Sequence, residues 1–478
     1  MLKNSGPWTW LGDFRIWLLI FCLVRLIGIT QAPLEPQHSW RQILTIMVAD
    51  NFAEVDPNPL YPRLDMNGNG TGITGLEFPV FSYLIFLGGE LLGSTHWIGR
   101  LINLLVSSLG VWFFFSLVKR HLNPKIAFFS AMLLLSSIWF SFSRKSMPDT
   151  FSVSLALIAM FQAFAYLYEG KARHWLGWVG IGVVALLSKL PAIIPMTALL
   201  LPLIDRKVPL PRKLRFLVGA GLLLLPALWW YGIWVGHLGD TYGFLYSTPL
   251  YDPNTLSESL AQLREQLDPL AKQFYFFPLF AFSGTAAVLF GFGRAIYLRD
   301  KALMTLGGLT LLAMVAFMLK LGEVFAIHNY YLIPFVPGLC LMAGYGLQAL
   351  PLKPWAYLIL GLIMVEGVMN QQHDLWLKDK YRYPLKLAEL VSAHTEAEDL
   401  VVVLSDSGHP QNIYFSNRKG WLIAGNEAIR EGYLADLASK GGRMLIVDKH
   451  LFPSFASSQP ILHEGAHYTL YRLEGADF

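Results

Sequence analysis

The sequence predicts a polytopic α-helical membrane protein with a small α/β domain at its C-terminus. Hydrophobic residues make up 54% of the 478 residues and charged residues only 15%, whereas a soluble protein carries roughly a quarter charged residues. The apolar residues fall in repeated runs, close to the roughly 20 residues that cross a hydrocarbon core. After Gln371 the composition changes: residues 400–404 and 444–447 have the pattern of buried strands, and residues 426–439 have that of a helix between them. We therefore predict a transmembrane domain in residues 1–370 and an external α/β domain in residues 371–478.

Basic residues at the ends of the apolar runs predict how the chain is oriented. Lys3 and Arg15 precede the first run, which places the N-terminus in the cytoplasm and Glu35 on the opposite side. The net charge of +4 therefore reflects orientation and does not indicate a nucleic-acid partner. The predicted spans, about eleven, are residues 16–29, 97–118, 126–142, 151–168, two short crossings within 175–204, and 216–235, 275–297, 303–319, 332–348 and 355–369.

Two apolar stretches do not fit a simple crossing. Residues 78–92 are short, and the basic cluster that follows the next span favours an interfacial or re-entrant position for them. Residues 175–204 have basic clusters on both sides but are too few for two full spans. The turn Ser188–Pro191 is therefore predicted to lie below the outer surface, where the ammonium group of Lys189 has to face protein or a wet cavity.

The first of two predicted external loops, residues 31–77 and 237–274, opens with an unusual density of polar chemistry. Glu35, His38, Trp40 and Arg41 follow the first span within a few positions, and residues 40–52 are predicted to form an interfacial helix. For Glu35, the alternative is a solvated residue at the end of a span. We favour a catalytic site on the outer face, because a connecting loop has no need of these side chains.

A second polar cluster, Arg144 to Asp149, lies at the mouth of a later helix on the same predicted face. Asp149 could complement the helix dipole or pair with Arg144 or Lys145 instead of acting in catalysis. We expect Glu35, Asp149 and Lys189 to converge on a single cavity that opens to the outer leaflet.

Further candidates lie in the last external turn, where His328, Tyr330 and Tyr331 follow one another closely. His328 could hydrogen-bond a phosphate or a sugar hydroxyl, while the alternative for the tyrosines is an aromatic belt. Together with Arg41, Arg144 and Lys189, this turn gives the outer face a set of groups that suits a phosphate.

A weak metal-binding pattern occurs in the first loop. Asp65, Asn67 and Asn69 have the spacing of the first half of a calcium loop, but Leu76 stands where the last ligand is expected and Glu77 follows it. Turn chemistry explains these residues, so we predict no cofactor and leave a divalent metal as an alternative that the sequence does not indicate. Asn69 also begins a formal glycosylation sequon without further support.

The order of these motifs resembles the GT-C glycosyltransferases, and most of all their bacterial protein O-mannosyltransferase and aminoarabinose transferase branch. The resemblance covers residues 8–369. It rests on the segment 77–84, Arg100, the Arg-x-x-x-Pro-Asp element ending at Asp149, the turn Ser188–Pro191 and the run 328–331.

The resemblance implies transfer of a monosaccharide from a polyprenyl-phosphate donor to a lipid, glycan or protein acceptor, outside a bacterial inner membrane. Glu35 is the nearest match to the family's base, although Gln37 stands where an acid could equally be expected, and His38 and Asp149 remain alternatives. The implied phosphate-binding residues are Arg41, Arg144, Lys189 and His328. The implied sugar and acceptor pocket consists of His38, Trp40, Glu77, Tyr330 and Tyr331.

Two other functions compete with this interpretation. A transporter or flippase of a lipid-linked glycan commonly shows internal repeats and ionisable residues in mid-span. The sequence has no evident repeat, and its ionisable residues gather at the outer face. A membrane anchor would place its function in the C-terminal domain, which lacks a phosphate-binding glycine loop or a nucleophile elbow, so we predict that this domain is accessory.

Overall fold

The computed structural model describes residues 12–93, 96–244, 246 and 255–473. They form two compact units, each drawn from three stretches of the chain. The helical unit combines Met1–Thr30, Trp97–Ile233 and Ser247–Trp376, and the mixed unit combines Gln31–His96, Trp234–Tyr246 and Leu377–Phe478. Lys3, used above to orient the N-terminus, and residues 245 and 247–254 of the second predicted loop lie outside the described residues.

Helices dominate the chain up to residue 371. In chain order they are α1 (Phe14–Arg25), α2 (Ser39–Glu54), α3 (Val80–Leu92), α4 (Ile98–His121), α5 (Pro124–Ser136), α6 (Trp139–Phe142), α7 (Pro148–Glu169), α8 (Ala172–Ser188), α9 (Ile193–Met196), α10 (Leu200–Ile204), α11 (Leu210–Trp229), α12 (Val235–Tyr242), α13 (Leu256–Glu265), α14 (Leu267–Tyr275), α15 (Phe282–Tyr297), α16 (Lys301–Leu321), α17 (Glu323–Ile327), α18 (Val336–Leu347) and α19 (Lys353–Gln371). Of these, α2, α3 and α12 belong to the mixed unit and the rest to the helical unit.

Four helical stretches among the described residues are long and apolar enough to cross a membrane. They are α4, α7, α16 and the stretch Leu210–Tyr242. Other apolar helices, such as α5, α8 and α18, are shorter. The predicted membrane protein is thus supported, while the number of about eleven spans stays a prediction.

Local sequence explains where α7 begins and ends. Pro148 occupies its first turn, where a missing N–H costs no hydrogen bond, and Gly170 ends it in the left-handed conformation with φ +75°. Helix α7 packs closely against α4 at Gly110, which has no side chain. A β-carbon at that position would lie 2.7 Å from the Cα of Ser154. Helix α7 also packs against α8, which brings the start of α7 close to the end of α8.

The end of α8 lies at the turn that the sequence predicts. The helix stops at Ser188, Lys189 takes an extended conformation with φ −166° and ψ 122°, and Leu190–Ala192 form a single 3-10 turn. Pro191 cannot continue the α-helical hydrogen bonding, so the chain runs on through the short helices α9 and α10. Lys189 therefore sits at a break between helical segments and not on a regular helix face.

A five-stranded sheet forms the centre of the mixed unit, with the order β2-β1-β3-β5-β4. Its strands are β1 (Leu400–Leu404), β2 (Gly420–Ile423), β3 (Gly442–Asp448), β4 (Ile461–Glu464) and β5 (Tyr468–Arg472). Strands β2, β1 and β3 run parallel, while β5 is antiparallel to both β3 and β4. The short helices of this part are α20 (Leu387–Ser392), α21 (Gln411–Ser416), α22 (Gly425–Ala428) and α23 (Tyr433–Ser439).

Both predicted strands are present, as β1 and as part of β3. The single helix predicted over residues 426–439 is two short helices, α22 and α23. Gly432, which precedes α23 with φ +74°, accounts for the interruption because an α-helix cannot pass through that conformation.

The sequence predicts α2 as an interfacial helix, but the structure buries it within the mixed unit. Most of its side chains are buried, and one apolar cluster joins Met47 and Val48 of α2 to Val401, Met444 and Ile446 of the sheet. Its pattern lacks the polar face that a helix on a membrane surface needs, because apolar residues surround the helix on all sides. Helix α2, from the first predicted external loop, is thus part of the core of the mixed unit.

A second segment of that loop extends the sheet. The backbone N–H of Gly68 donates to the carbonyl of Gly420 over 2.6 Å, and the N–H of Gly420 donates to the carbonyl of Asp65 over 2.9 Å. Asn67 also forms an antiparallel bridge with Trp421. The loop therefore covers the edge of strand β2, which would otherwise present unpaired backbone groups.

The observed units divide the chain differently from the predicted domains. The helical unit ends at Trp376, close to the predicted boundary at residue 370. The loop predicted to belong to the transmembrane domain, residues 31–77, is instead compact with residues 377–478. A sequence-based boundary cannot reveal this arrangement, because the residues that bury α2 follow it by more than three hundred positions.

Candidate functional site

Asp149 and Lys189 form an ion pair inside the helical unit. Asp149 lies in the first turn of α7, and Lys189 follows α8. Their side chains are 5% and 15% exposed, so the pair is shielded from bulk water. The second carboxylate oxygen, Oδ2, of Asp149 is buried and accepts no hydrogen bond from the described residues. The pair thus combines a cation with a carboxylate oxygen that can still accept a hydrogen bond.

Two tyrosine rings complete the surroundings of the ammonium group. The Nζ atom of Lys189 lies 5.0 Å from the ring centroid of Tyr330 and 5.8 Å from that of Tyr331, within the range of cation–π attraction. His328 stacks on Tyr330 with 5.3 Å between ring centroids and an angle of 21° between planes. The segment that carries these rings therefore contacts the side chain of Lys189.

His328 lies in the turn between α17 and α18, outside the helices. Burial, with the nearby charge of Lys189, lowers the pKa of His328 to about 4. Its imidazole is therefore neutral near pH 7 and acts as a hydrogen-bonding group. It could donate one hydrogen bond to a phosphate or to a sugar hydroxyl, but it adds no positive charge.

A small pocket opens beside the ion pair, and a larger cavity adjoins it. Asp149, Ser152, Lys189, Tyr330 and Tyr331 line the pocket. Pro334 lines both spaces. The larger cavity has a volume of about 480 Å³ and its walls are mainly aliphatic and aromatic side chains of α4, α7, α16 and α18. A polar pocket next to a largely apolar cavity suits a ligand with a polar head and a hydrocarbon tail.

The mixed unit brings together most of the remaining predicted residues. Glu35 is 2% exposed, and its Oε2 accepts a hydrogen bond of 3.0 Å from the Nε2 of Gln42. Arg41 donates to the carboxylate of Glu77 in an ion pair with exposed fractions of 9% and 22%. The start of α2 and the end of the loop are thereby fastened together. Glu35 and Glu77 are both held by partners from α2.

His38 and Trp40 shape the entry to α2. His38 precedes the helix in the left-handed conformation, with φ 56° and ψ 37°, which is uncommon for a residue with a side chain. Trp40 is partly buried and packs on the apolar cluster shared by α2 and the sheet. The strained backbone at His38 sets the direction in which the Glu35 segment meets α2.

Comparisons with known proteins assign the fold. Residues 77–231 match the sequence family described as dolichyl-phosphate-mannose-protein mannosyltransferase. The whole chain is similar to ArnT from Cupriavidus metallidurans in its apo state, with a TM-score of 0.63, 12% identity and 99% of each chain covered. For ArnT bound to undecaprenyl phosphate the TM-score is 0.61 at 12% identity, covering 98% of this chain and 99% of ArnT. The chain has the fold of the GT-C glycosyltransferases.

A third GT-C structure is also similar. The archaeal oligosaccharyltransferase AglB from Archaeoglobus fulgidus, in complex with an inhibitory peptide and a dolichol-phosphate, gives a TM-score of 0.54 at 12% identity, with 93% of this chain and 70% of AglB covered. Among curated proteins, none matches this sequence. The resemblance to GT-C proteins of the ArnT and protein mannosyltransferase type is therefore confirmed. The sequence match includes Asp149 and Lys189 but neither Glu35 nor His328.

Within the GT-C fold, Arg144 occupies a structural position. Its side chain is buried, and it donates to the backbone carbonyls of Arg25, Ile27 and Asp374. These bonds tie the end of α1 to the segment after α19. The phosphate-binding role of Arg144 stays a prediction of the sequence.

The weak calcium-loop pattern has another explanation in the structure. Asp65 accepts a hydrogen bond of 3.0 Å from Asn51, Asn67 lies in the bridge to the sheet, and Glu77 pairs with Arg41. Among the described residues, no group of three His, Cys, Asp or Glu side chains is arranged to hold a metal ion.

Sequence reasoning missed the partner of Lys145. Its Nζ lies 3.0 Å from the Oδ2 of Asp374, and both side chains are 1% exposed. Lys145 is close to Asp149 in the sequence, but its ammonium group pairs with Asp374 in the segment after α19. Asp374 lies shortly after the apolar run 355–369, and its place near the end of a predicted span is the signal that could have drawn attention to it.

Proposed function

We propose that this GT-C protein transfers a monosaccharide from a polyprenyl-phosphate donor to the hydroxyl group of an acceptor. The observation that carries the proposal is the Lys189 ammonium, held by Asp149 and two tyrosine rings beside a largely apolar cavity. A lipid-linked sugar has matching parts, because its phosphate is anionic and its polyprenyl chain is apolar. The undecaprenyl phosphate named with ArnT and the dolichol-phosphate named with AglB support this ligand class.

The reaction needs a cation where phosphate charge increases. The acceptor oxygen forms a bond to the anomeric carbon of the sugar while the bond from that carbon to the phosphate oxygen breaks. That oxygen keeps the electron pair and leaves as polyprenyl phosphate. Lys189 would stabilise the growing charge, and a preorganised charge in a shielded site is most effective there. His328 would add a neutral hydrogen-bond donor, and Tyr330 and Tyr331 would flank the sugar.

The acceptor hydroxyl must lose its proton to a base. We assign this role to Glu35 first and to Asp149 second, since each carboxylate is shielded from water. His38, Trp40 and Glu77 are proposed to form the acceptor side, with Arg41 held by Glu77. Glu35 and Asp149 belong to different units, so their action on one substrate stays a prediction of the sequence.

We further propose that the Lys189 pocket faces the outside of a bacterial inner membrane. Lys171 and Arg173 flank the junction of α7 and α8, at the opposite ends of both helices from Asp149 and Lys189. The positive-inside rule places that junction in the cytoplasm. An impermeant thiol reagent should label Ile327→Cys in intact spheroplasts and Lys171→Cys only after permeabilisation. The reverse pattern would refute the orientation.

Transfer from a synthetic polyprenyl-phospho-sugar by the purified protein tests the proposal. Lys189→Met should lower the rate at least 100-fold, with partial recovery in Lys189→Arg, while the exposed Lys207→Met serves as the matched control. Glu35→Gln and Asp149→Asn are compared in the same assay. Movement of an intact lipid-linked glycan across vesicles, without cleavage of its glycosyl bond, would favour a flippase instead.

A further inference from the structure

The charges in the Lys189 pocket nearly cancel. Asp149 and Lys189 are the charged members of its described lining, and the other members are tyrosines and small or apolar residues. Because the two charges form an ion pair, an anion entering the pocket does not meet an excess of positive charge. A site that served only to capture phosphate would not be expected to contain a carboxylate.

The carboxylate cannot easily leave the pocket. Asp149 lies in the first turn of α7, a helix anchored by close packing against α4 and α8. Its side chain is 5% exposed, and Oδ2 accepts no hydrogen bond from the described residues. When a phosphate approaches Lys189, Asp149 therefore stays close to it and both anions compete for one ammonium group.

We infer that Asp149 competes with the lipid phosphate for Lys189 and thereby promotes release of the polyprenyl phosphate product. This inference rests on the proposed function. The donor is a phosphodiester with a charge of about −1, whereas the product is a monoester with a charge of about −1.5 to −2 near pH 7. Repulsion by Asp149 is consequently stronger for the product than for the donor. Asp149 is in this view a positioning residue that sets how long the spent lipid stays bound.

Equilibrium binding of undecaprenyl phosphate to the purified full chain in detergent tests the inference. Asp149→Asn should bind this lipid at least tenfold more tightly than the wild type, a change of about 1.4 kcal/mol. Lys189→Met should bind it at least tenfold more weakly. Undecaprenol, which lacks the phosphate, should bind the wild type and Asp149→Asn equally. Lys207→Met serves as the surface control, and thermal melting verifies that each variant is folded, with Asp149→Ser as the replacement for a variant that is not.

The outcomes separate this inference from the proposed function. Equal or weaker binding of undecaprenyl phosphate by Asp149→Asn, together with loss of binding by Lys189→Met, would overturn the competition and leave the phosphate site standing. Unchanged binding by Lys189→Met would overturn the phosphate site itself. In turnover assays, stronger inhibition of Asp149→Asn by added undecaprenyl phosphate would support product release, an effect that a purely structural role would not produce.

Discussion

Gly68 lies directly against the indole ring of Trp421. A β-carbon built on Gly68 would be 1.9 Å from the Cε2 atom of that ring, and the backbone at Gly68 has φ +53°. The loop thus approaches strand β2 as closely as a residue without a side chain permits. This contact fastens the segment after α2 to the sheet of the mixed unit.

Replacement of Gly68 should destabilise the mixed unit. Gly68→Ala combines left-handed strain with an overlap on the partly buried indole of Trp421, and should cost about 2 kcal/mol or more. Gly93→Ala is the matched control, since Gly93 also has a positive φ, +70°, but nothing lies within 4 Å of its β-carbon position. Thermal melts in detergent should rank the wild type above Gly93→Ala and both above Gly68→Ala. Equal melting temperatures for the two variants would contradict the contact.

The buried pair of Lys145 and Asp374 should show strong coupling. Asp374→Asn removes the buried carboxylate that pairs with Lys145, and Lys145→Met removes the ammonium group that pairs with Asp374, so each should lower stability by about 3–5 kcal/mol. The double variant removes both charges and should recover most of this loss. A double-mutant cycle from denaturation in detergent measures the coupling. Additive losses would mean that the two side chains do not depend on each other.

Arg41 and Glu77 should couple more weakly, because Glu77 is 22% exposed. We expect a coupling free energy of about 1–2 kcal/mol from the cycle of Arg41→Met, Glu77→Gln and their combination. If Arg41 also binds the lipid phosphate, Arg41→Met should weaken undecaprenyl phosphate binding beyond what Glu77→Gln does. Equal binding by both variants would limit Arg41 to holding the loop.

His409 should make the mixed unit sensitive to acid. Burial lowers the pKa of His409 to about 4, compared with about 6.5 in an unfolded chain. Between these values the unfolded chain binds a proton that the folded unit does not, so the free energy of unfolding falls as the pH falls from 6.5 to 4. The loss should be on the order of 2 kcal/mol.

Melting the wild type and His409→Asn across this range of pH checks that effect. His409→Asn should have a shallower decline between pH 6.5 and 4, while His394→Asn, which changes an exposed histidine, should follow the wild type. Parallel declines for all three proteins would exclude His409 as the source.

The sequence could predict those features of the candidate site that depend only on the order and orientation of the spans. Charge bias at the span ends placed Asp149 and Lys189 on one face, and their pairing across neighbouring helices is the structural result. Asp374 could not be assigned to Lys145, because nothing in a linear pattern specifies which buried acid meets which buried cation. The burial of α2 was equally inaccessible, since the strands that cover it lie far along the chain.

The burial of α2 has a consequence for how the protein is made. The apolar side chains of α2 pack in one cluster with side chains of β3 and β5, which are among the last strands to leave the ribosome. A nascent chain halted before those strands would hold the Glu35 segment on an unfinished core, however well its helices had entered the bilayer. Termination of the chain before those strands would consequently leave α2 without part of its core, and folding of the first loop would be a late event in biogenesis.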